Sequence, residues 1–294
     1  MFRLWFFVIA AMFASSLLVV GLASEKARAA GDPILLGAGD IASCQSSGDE
    51  ATAELLASTG GTVAALGDTV YPDGTAAQFR DCYGPSWGRF KARTRPAVGN
   101  HEYSTAGAQP YFEYFGAAAG PSGRGYYSYD MGTWHVVVLN SNCSEVSCAA
   151  GSTQERWLRA DLAANAKKCT LAYFHHPRFS SGLYGDTVSV APFWKALYRA
   201  GTEVVLNGHT HNYERFAPQR PNGTRDGERG IREFVVGTGG VNLKPFEAVK
   251  PNSQARNADT FGVLRLTLHP GSYDWKFKPA AGGTFTDSGT KACR

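Results

Sequence analysis

The sequence has no cysteines spaced C-x-x-C, no G-x-S-x-G motif behind an apolar strand, and no long run of lysine or arginine. The first absence argues against a zinc cluster, and the second argues against the nucleophile elbow of serine hydrolases. The formal net charge is only +4, and the absence of a basic run means that the sequence lacks the basic stripe expected of a protein that binds nucleic acid. No internal repeat or low-complexity tract divides the chain. After the N-terminus, no segment is long and apolar enough to span a bilayer.

The N-terminus, by contrast, has the features of an export signal. Arg3 precedes an apolar stretch over residues 4–23, and Ala27-Arg-Ala29 then supplies an A-x-A cleavage pattern. We predict a secretory signal peptide over residues 1–29 and a folded domain over 30–294. The apolar stretch is also about as long as a membrane-spanning helix requires, so an uncleaved anchor is the alternative. Membrane association is expected only in that case, and either way the domain is secreted, periplasmic or otherwise extracytoplasmic.

Six cysteines agree with an oxidising compartment. Six cysteines allow many pairings, and sequence alone does not decide among them. A short loop closed by its own bridge, a link between two polar loops, and a tie from the C-terminal tail to a strand are the favoured arrangement. The pairs would be Cys143–Cys148, Cys44–Cys82 and Cys169–Cys293.

Short apolar segments that end abruptly in glycine and polar residues recur along the chain. They are too short for independent helices and are typical of buried strands. These segments are 34–39, 63–66, 96–98, 171–174 and 204–206.

Other patterns complete an α/β prediction (α+β by some schemes) with mixed sheets. A capping box from Ser152 to Glu155 opens one helix, and residues 190–200 have a second helical pattern. In the C-terminal third, alternating apolar residues at 264–268 and 273–277 predict a hairpin. Residues 126–129 and 135–139 predict another pair of adjacent strands.

Polar residues directly follow the five apolar segments, where α/β proteins bind their ligands. Each residue alone is weak evidence, because Gly-Asp is often a turn and a single histidine is often structural. All five positions together are hard to produce by chance. Five of the seven histidines fall in these loops, whereas His135 and His269 lie in strand patterns and are expected to pack. The strand-end residues are Asp40, Asp68, Asn100, His175, His209 and His211.

The motifs around these residues resemble those of the calcineurin-like metallophosphoesterases. They run Gly39-Asp40-Ile-Ala, Gly67-Asp68-Thr-Val-Tyr71, Gly99-Asn100-His101-Glu102, Phe174-His175-His176-Pro177 and Gly208-His209-Thr-His211-Asn-Tyr-Glu-Arg215. The usual first motif is Asp-x-His, but Ala42 stands at its third position, and Tyr71 follows Asp68 by three residues instead. That exchange marks the purple acid phosphatase branch. The resemblance extends from Ile34 to the C-terminus. It implies that residues 30–294 are a catalytic domain, a four-layer αββα sandwich of two mixed sheets flanked by helices.

The resemblance also implies two metal ions. Phenolate and carboxylate oxygens suit Fe(III), whereas imidazoles and an amide oxygen suit a divalent ion of iron, zinc or manganese. The Fe(III) ligands would be Asp40, Tyr71 and His211; those of the divalent ion would be Asn100, His175 and His209; and Asp68 would bridge the two.

The implied activity is hydrolysis of a small phosphate monoester by attack of a metal-bound hydroxide. Asp68 and His101 would be catalytic, with His101 donating a proton to the leaving group. The alternative for His101 is a supporting contact to a ligand such as Asp68. Asn100, His101 and His176 would bind substrate, although His176 either faces phosphate or simply packs.

Two other functions are possible on the same motifs. A phosphodiesterase acting on nucleotides or lipid head groups would share the metal ligands, because pocket walls decide between monoester and diester. The presence of Tyr71 favours monoesters. A secreted binding protein without catalysis is the more remote alternative. It would be expected to have lost ligands, yet all seven expected positions are filled.

Overall fold

The structure is a computed structural model that describes residues 1–2 and 31–294. The segment 1–29, for which the sequence predicts a signal peptide or an anchor, therefore lies almost wholly outside the described residues. Within the described residues, no helix combines the length and the apolar character needed to cross a membrane. Residues Asp32–Arg294 form one structural unit.

Fourteen strands and five α-helices lie in this described part of the chain, with short 3-10 and π turns between them. The strands are β1 Ile34–Ala38, β2 Ala42–Ser43, β3 Thr62–Ala65, β4 Val70–Tyr71, β5 Tyr127–Met131, β6 Trp134–Val138, β7 Cys169–Tyr173, β8 Val204–Asn207, β9 Tyr213–Phe216, β10 Arg232–Val236, β11 Ser253–Asn257, β12 Gly262–His269, β13 Ser272–Pro279 and β14 Ser288–Ala292. The helices are α1 Gly48–Ala57, α2 Ala76–Gln78, α3 Gln109–Phe115, α4 Thr153–Ala164 and α5 Ala191–Arg199.

Two mixed sheets form the body of the fold. The five-stranded sheet has the order β14-β13-β12-β1-β3 and is antiparallel except for the parallel pair β1–β3. The seven-stranded sheet has the order β11-β9-β10-β8-β7-β6-β5. Its four middle strands, β10, β8, β7 and β6, are parallel, and the strands at both ends are antiparallel. Each sheet therefore contains parallel strands whose carboxyl ends can carry ligand-binding loops.

The inner faces of the two sheets pack against each other through large rings. Leu266 is paired with Trp275, so both side chains lie on the same face of the hairpin β12–β13. Trp275 meets Phe234 of β10 with ring centroids 5.9 Å apart, and Tyr273 meets Trp134 of β6 at 5.8 Å. Burying each large apolar side chain contributes about 1.5–3 kcal/mol, so this layer is a main source of stability.

Helices cover the outer faces. Val137, Val205 and Val235 of the seven-stranded sheet form a second apolar cluster with Trp194 and Leu197 of α5. Leu158 of α4 joins the same cluster. On the other side of the molecule, α1 lies next to β12. The fold is thus the predicted sandwich of two mixed sheets with helices outside them, and this prediction is confirmed.

The prediction of one strand is wrong. Residues 96–98 form no strand, and their segment touches β3 only through isolated bridges that pair Val63 with Thr94 and Leu66 with Ala97. Pro96 has no N–H to donate, so it interrupts any extended ladder. The N–H groups of Arg95 and Ala97 still donate to β3 or its end at 2.8 Å, which is enough to bring Asn100 to the correct end of the sheet.

The described cysteines form three disulfides, Cys44–Cys82, Cys143–Cys148 and Cys169–Cys293, as the sequence favoured. Cys169 begins β7 of the seven-stranded sheet, and Cys293 directly follows β14 of the five-stranded sheet. The third bridge therefore links the two sheets covalently.

Removing that bridge should destabilise the protein more than removing the small one. The separations are 124 residues for Cys169–Cys293 and 5 for Cys143–Cys148. Loop-closure entropy predicts a loss of about 5 kcal/mol for the long loop and about 2 kcal/mol for the short one. Denaturant unfolding of the two double-alanine variants measures the difference. Equal losses would show that loop length does not control the stabilisation.

Candidate metal centre

The strand-end loops meet where the carboxyl ends of parallel strands from both sheets come together. Strands β1 and β3 are parallel in one sheet, and β7 and β8 are parallel in the other. Asn100 arrives on the segment that bridges to β3. The loops supply Asp40 after β1, Asp68 after β3, His175 after β7, and His209 and His211 after β8.

Four of these residues have left-handed backbone conformations, which residues other than glycine rarely adopt. The φ angle is 58° at Asp40, 47° at Asp68, 76° at His209 and 54° at His211. Each costs on the order of 1 kcal/mol. Contacts within the centre compensate this strain, and one of them is the bond from the His209 N–H to Asp40 Oδ2 at 2.7 Å. Such strain is typical of functional sites.

Two glycines allow the loops to approach closely. A Cβ atom at Gly67, where φ is 84°, would lie 2.6 Å from Nδ1 of His175. A Cβ atom at Gly99 would collide with the backbone and carboxylate of Asp68. The glycine that precedes each of these polar motifs is therefore required by space, not by the turn alone.

The site residues form two groups, and the members of the first surround the Tyr71 hydroxyl. It lies 2.9 Å from Asp40 Oδ1, 2.8 Å from Asp68 Oδ2 and 3.2 Å from His211 Nε2. His211 Nε2 is also 3.3 Å from Asp40 Oδ1. These are the side chains that the resemblance assigns to the Fe(III) site, together with the bridging carboxylate.

The second group meets at Nε2 of His175. This atom lies 3.1 Å from Asn100 Oδ1, 3.2 Å from His209 Nδ1 and 3.2 Å from Asp68 Oδ2. Asp68 Oδ2 therefore contacts both groups, as a bridging ligand would. The structure brings all seven side chains together, while their roles as ligands stay a prediction.

The electrostatics of the cluster suit cations. Burial raises the pKa of Asp40, and burial together with the two neighbouring carboxylates raises the pKa of Tyr71 well above its usual range. Burial also acts to raise the pKa of Asp68, but the charges of His175 and His101 and their hydrogen bonds to the carboxylate together outweigh burial and hold that pKa well below normal. In the described chain, the ion-pair partners of Asp40 and Asp68 are all histidines. Oxygen donors buried this closely fit metal ions, which would neutralise them.

Outer contacts orient the histidines that are predicted as metal ligands. His175 Nδ1 lies 2.9 Å from the Leu66 carbonyl oxygen, and His211 Nδ1 lies 2.7 Å from Asn242 Oδ1. Both rings therefore direct Nε2 into the centre. Burial and the charge of His175 lower the pKa of His209 to about 2, so its ring is neutral, the form that binds metal.

Glu102 holds together the loop that carries Asp68 and the loop that carries Asn100. Its fully buried carboxylate accepts hydrogen bonds from the N–H groups of Asp68 at 3.1 Å, Thr69 at 2.7 Å and Gly99 at 2.7 Å. The Thr69 hydroxyl donates to it as well, at 2.8 Å. Glu102 thus supports the loops and does not face the reacting atoms.

The two remaining predicted residues border the cluster. The His101 ring has Nε2 3.9 Å from Asp68 Oδ2, its Nδ1 faces the Pro72 carbonyl, and its side chain is 33% exposed. His176 is half-buried with its ring centroid 4.4 Å from that of His209. Both rings therefore lie where a ligand of the cluster would be bound.

Some supporting residues escaped the sequence analysis. Ser141 contacts His176 Nδ1 at 2.9 Å and lies in the polar run after β6, a signal equal to those used for the other strand ends. Asn242, which orients His211, lies in a loop after β10 with no comparable signal.

Residues 84–88 spell G-x-S-x-G, but they are not a nucleophile elbow. The motif lies between helical turns and does not follow a strand. Ser86 is fully buried and donates its hydroxyl hydrogen bond to Asp49. The residue is structural.

Glu102→Gln should destabilise the metal-free protein by about 2–4 kcal/mol, because an amide NH₂ would then face backbone donors. Denaturant unfolding measures this loss. Glu113→Gln is the matched control, since Glu113 is exposed and, among the residues that the structure describes, accepts only from Gln109 on the same helix. Equal effects of the two substitutions would contradict the role assigned to Glu102.

Comparison with known proteins agrees with this geometry. A family model described as calcineurin-like phosphoesterase matches residues 32–213. Purple acid phosphatase 15 of Arabidopsis thaliana is 30% identical over 148 residues, which cover 44% of this chain and 27% of that protein. Purple acid phosphatase 22 of the same plant is 27% identical over 226 residues, covering 66% and 50%. The solved structure of purple acid phosphatase PPD1 from yellow lupin seeds matches with a TM-score of 0.75 and 18% identity, over 90% of this chain and 54% of that one.

The chain therefore belongs to the calcineurin-like phosphoesterase family, whose model matches well over half of it. Within that family it falls in the branch of the purple acid phosphatases. The matched part spans half or less of the length of these two curated relatives.

Proposed function

We propose that this protein is an exported phosphatase with two metal ions that hydrolyses phosphate monoesters. The observation that carries the proposal is the position of the Tyr71 hydroxyl, within 2.9 Å of both Asp40 and Asp68 and beside His211. A phenol among hard oxygen donors is the ligand set that Fe(III) prefers.

The residues divide between two ions. Fe(III) would be held by Asp40, Tyr71 and His211, and a divalent ion of iron, zinc or manganese by Asn100, His175 and His209, with Asp68 between them. When bound, the two ions would supply the Lewis acidity that polarises the ester and activates water.

His101 is the group we assign to the leaving oxygen. Its Nδ1 is engaged by the Pro72 carbonyl, which leaves Nε2 available on the exposed side of the cluster. A ring that donates Nδ1–H to a carbonyl can carry a second proton on Nε2 and release it to an alkoxide. The contact between His101 N–H and Asp68 Oδ1 at 2.9 Å fixes the backbone below the ring.

His176 is assigned to a phosphate oxygen. The Ser141 hydroxyl oxygen accepts from the His176 backbone N–H at 3.0 Å, so its own hydrogen is free to be donated to Nδ1 at 2.9 Å. This arrangement favours the tautomer that carries its hydrogen on Nε2. The ring can then donate a hydrogen bond to substrate without being charged.

Export is supported by the cysteines. All six lie in disulfides, which persist in oxidising compartments and are rare in the cytosol. Together with the A-x-A pattern at residues 27–29, they support a secreted or periplasmic location.

The first test is metal content with a visible absorption spectrum of the purified protein, alongside turnover of an aryl phosphate and the matching diester. We expect iron plus a second metal, a tyrosinate-to-iron band, and faster turnover of the monoester. Tyr71→Phe should abolish the band because the phenolate donor is lost.

Two other results of that measurement would contradict the proposal. Two zinc or manganese ions, no band and better diester turnover would identify a phosphodiesterase instead. If the metal-loaded wild type hydrolysed neither the monoester nor the diester, the protein would be a binding protein and not an enzyme.

His101→Gln should slow the hydrolysis of an alkyl phosphate by about 10²–10⁴-fold, because the poor leaving group needs a proton. Hydrolysis of 4-nitrophenyl phosphate should fall much less, since its leaving group is stable as an anion. Steady-state kcat for both substrates measures the difference. His269→Gln is the control, because within the described residues that ring is hydrogen-bonded to Asp32 and Asp274 alone, at the end of β12 opposite to the metal cluster. An equal loss on both esters, with unchanged metal content, would rule out proton donation.

A further inference from the structure

An exposed aromatic side chain stands beside the metal cluster. Tyr184 is 49% exposed, and its ring centroid lies 4.9 Å from that of His209 and 6.5 Å from that of His211. The preceding residue, Leu183, is 46% exposed. The position of Tyr184 at the rim of this centre places an aromatic surface next to anything bound there.

The loop that carries Tyr184 is firmly anchored. The Ser181 N–H donates to the buried Glu214 carboxylate at 2.8 Å, and the Ser180 N–H donates to Asp186 Oδ1 at 3.1 Å. Gly182 forms a β-bridge with Phe246. The aromatic ring is therefore held in place before any ligand binds, which lowers the entropic cost of using it.

Lys244 fixes the other end of the ring. Its backbone N–H donates to the carbonyl oxygen of His211 at 2.8 Å, and its ammonium group donates to the Tyr184 hydroxyl. The lysine thus connects the ring to the backbone of a predicted metal ligand. This connection ties the position of Tyr184 to that of His211.

The two histidines at the rim of the cluster offer different contacts from those of Tyr184. His101 and His176 border the cluster with polar ring nitrogens, which suit the oxygens of a phosphate group. Tyr184 adds an apolar aromatic surface beside His209. A phosphate bound at the cluster would thus have its ester substituent within reach of this ring.

We propose that Tyr184, held by Lys244, is the subsite for the leaving group and selects phosphate esters whose ester oxygen is attached to a planar aromatic group. The inference rests on the proposed phosphatase function. A planar aryl group can stack on the tyrosine ring, whereas a short alkyl group gains little from it. An alkyl substituent of similar size also offers no face for offset stacking.

Binding of two phosphonates to the metal-loaded protein tests the subsite without turnover. Phenylphosphonate carries the aryl group, and methylphosphonate has the same anionic head without it. Tyr184→Ala should weaken phenylphosphonate binding by about tenfold and change methylphosphonate binding less than twofold. Tyr184→Leu should resemble the alanine variant if stacking, not bulk, provides the affinity. Lys244→Met should cause a smaller loss with the same selectivity.

Val188→Ala is the matched control, because Val188 is also exposed, at 68%, and lies four residues further along the same segment. Metal content and the unfolding midpoint of every variant should equal those of the wild type. The ratio of kcat/KM for phenyl phosphate to that for glycerol phosphate should fall in parallel with phenylphosphonate affinity.

The possible failures are distinguishable. Equal weakening of both phosphonates, or no change in either, would overturn the leaving-group subsite while leaving the phosphatase intact. If the metal-loaded wild type bound neither phosphonate and turned over neither ester, the proposed function would fail, and the subsite with it.

Discussion

The carboxylate of Asp68 is the contact on which the rest of the centre depends. Its Oδ2 atom lies 2.8 Å from the Tyr71 hydroxyl and 3.2 Å from His175 Nε2, so it joins Tyr71 on the short strand β4 to His175, which follows β7 of the seven-stranded sheet. Its Oδ1 atom accepts from the His101 N–H at 2.9 Å. An anionic group can be buried so completely only because several donors and, in the proposed enzyme, two cations surround it.

Holding Asp68 there requires a strained backbone and a second buried carboxylate. The φ angle of Asp68 is 47°. Glu102 accepts hydrogen bonds from the N–H of Asp68 and from the N–H of the next residue, Thr69. Gly99 leaves room for this approach because a side chain there would collide with Asp68. The stable packing of the two sheets thus holds a strained backbone in place at the site, as is common for functional sites.

Much of this arrangement was predictable because its parts have local signals. Apolar runs ending in Asp40, Asp68, His175 and His209 indicated both the strands and the edge at which they meet. Residues 96–98 failed as a strand, since Pro96 removes a donor that periodicity does not count. Asn242, Tyr184 and Lys244 could not be predicted, because their proximity depends on how loops after different strands fold back. The letters around Ser86 matched a catalytic motif, yet burial excludes it, so a motif needs its structural context.

The centre and its rim follow different physical rules. Metal ligands must sit at fixed distances, and most of the predicted ligands here follow the ends of strands whose backbones are held in ladders. Tyr184 and Lys244, which we propose contact the substrate and not the metal ions, lie in loops outside the strands and helices. The bond from Lys244 N–H to the His211 carbonyl joins the two parts. Under the proposed function, a change in this loop would alter which ester substituent is accepted, while the chemistry at phosphorus that we assign to Asp68 and its neighbours would stay the same.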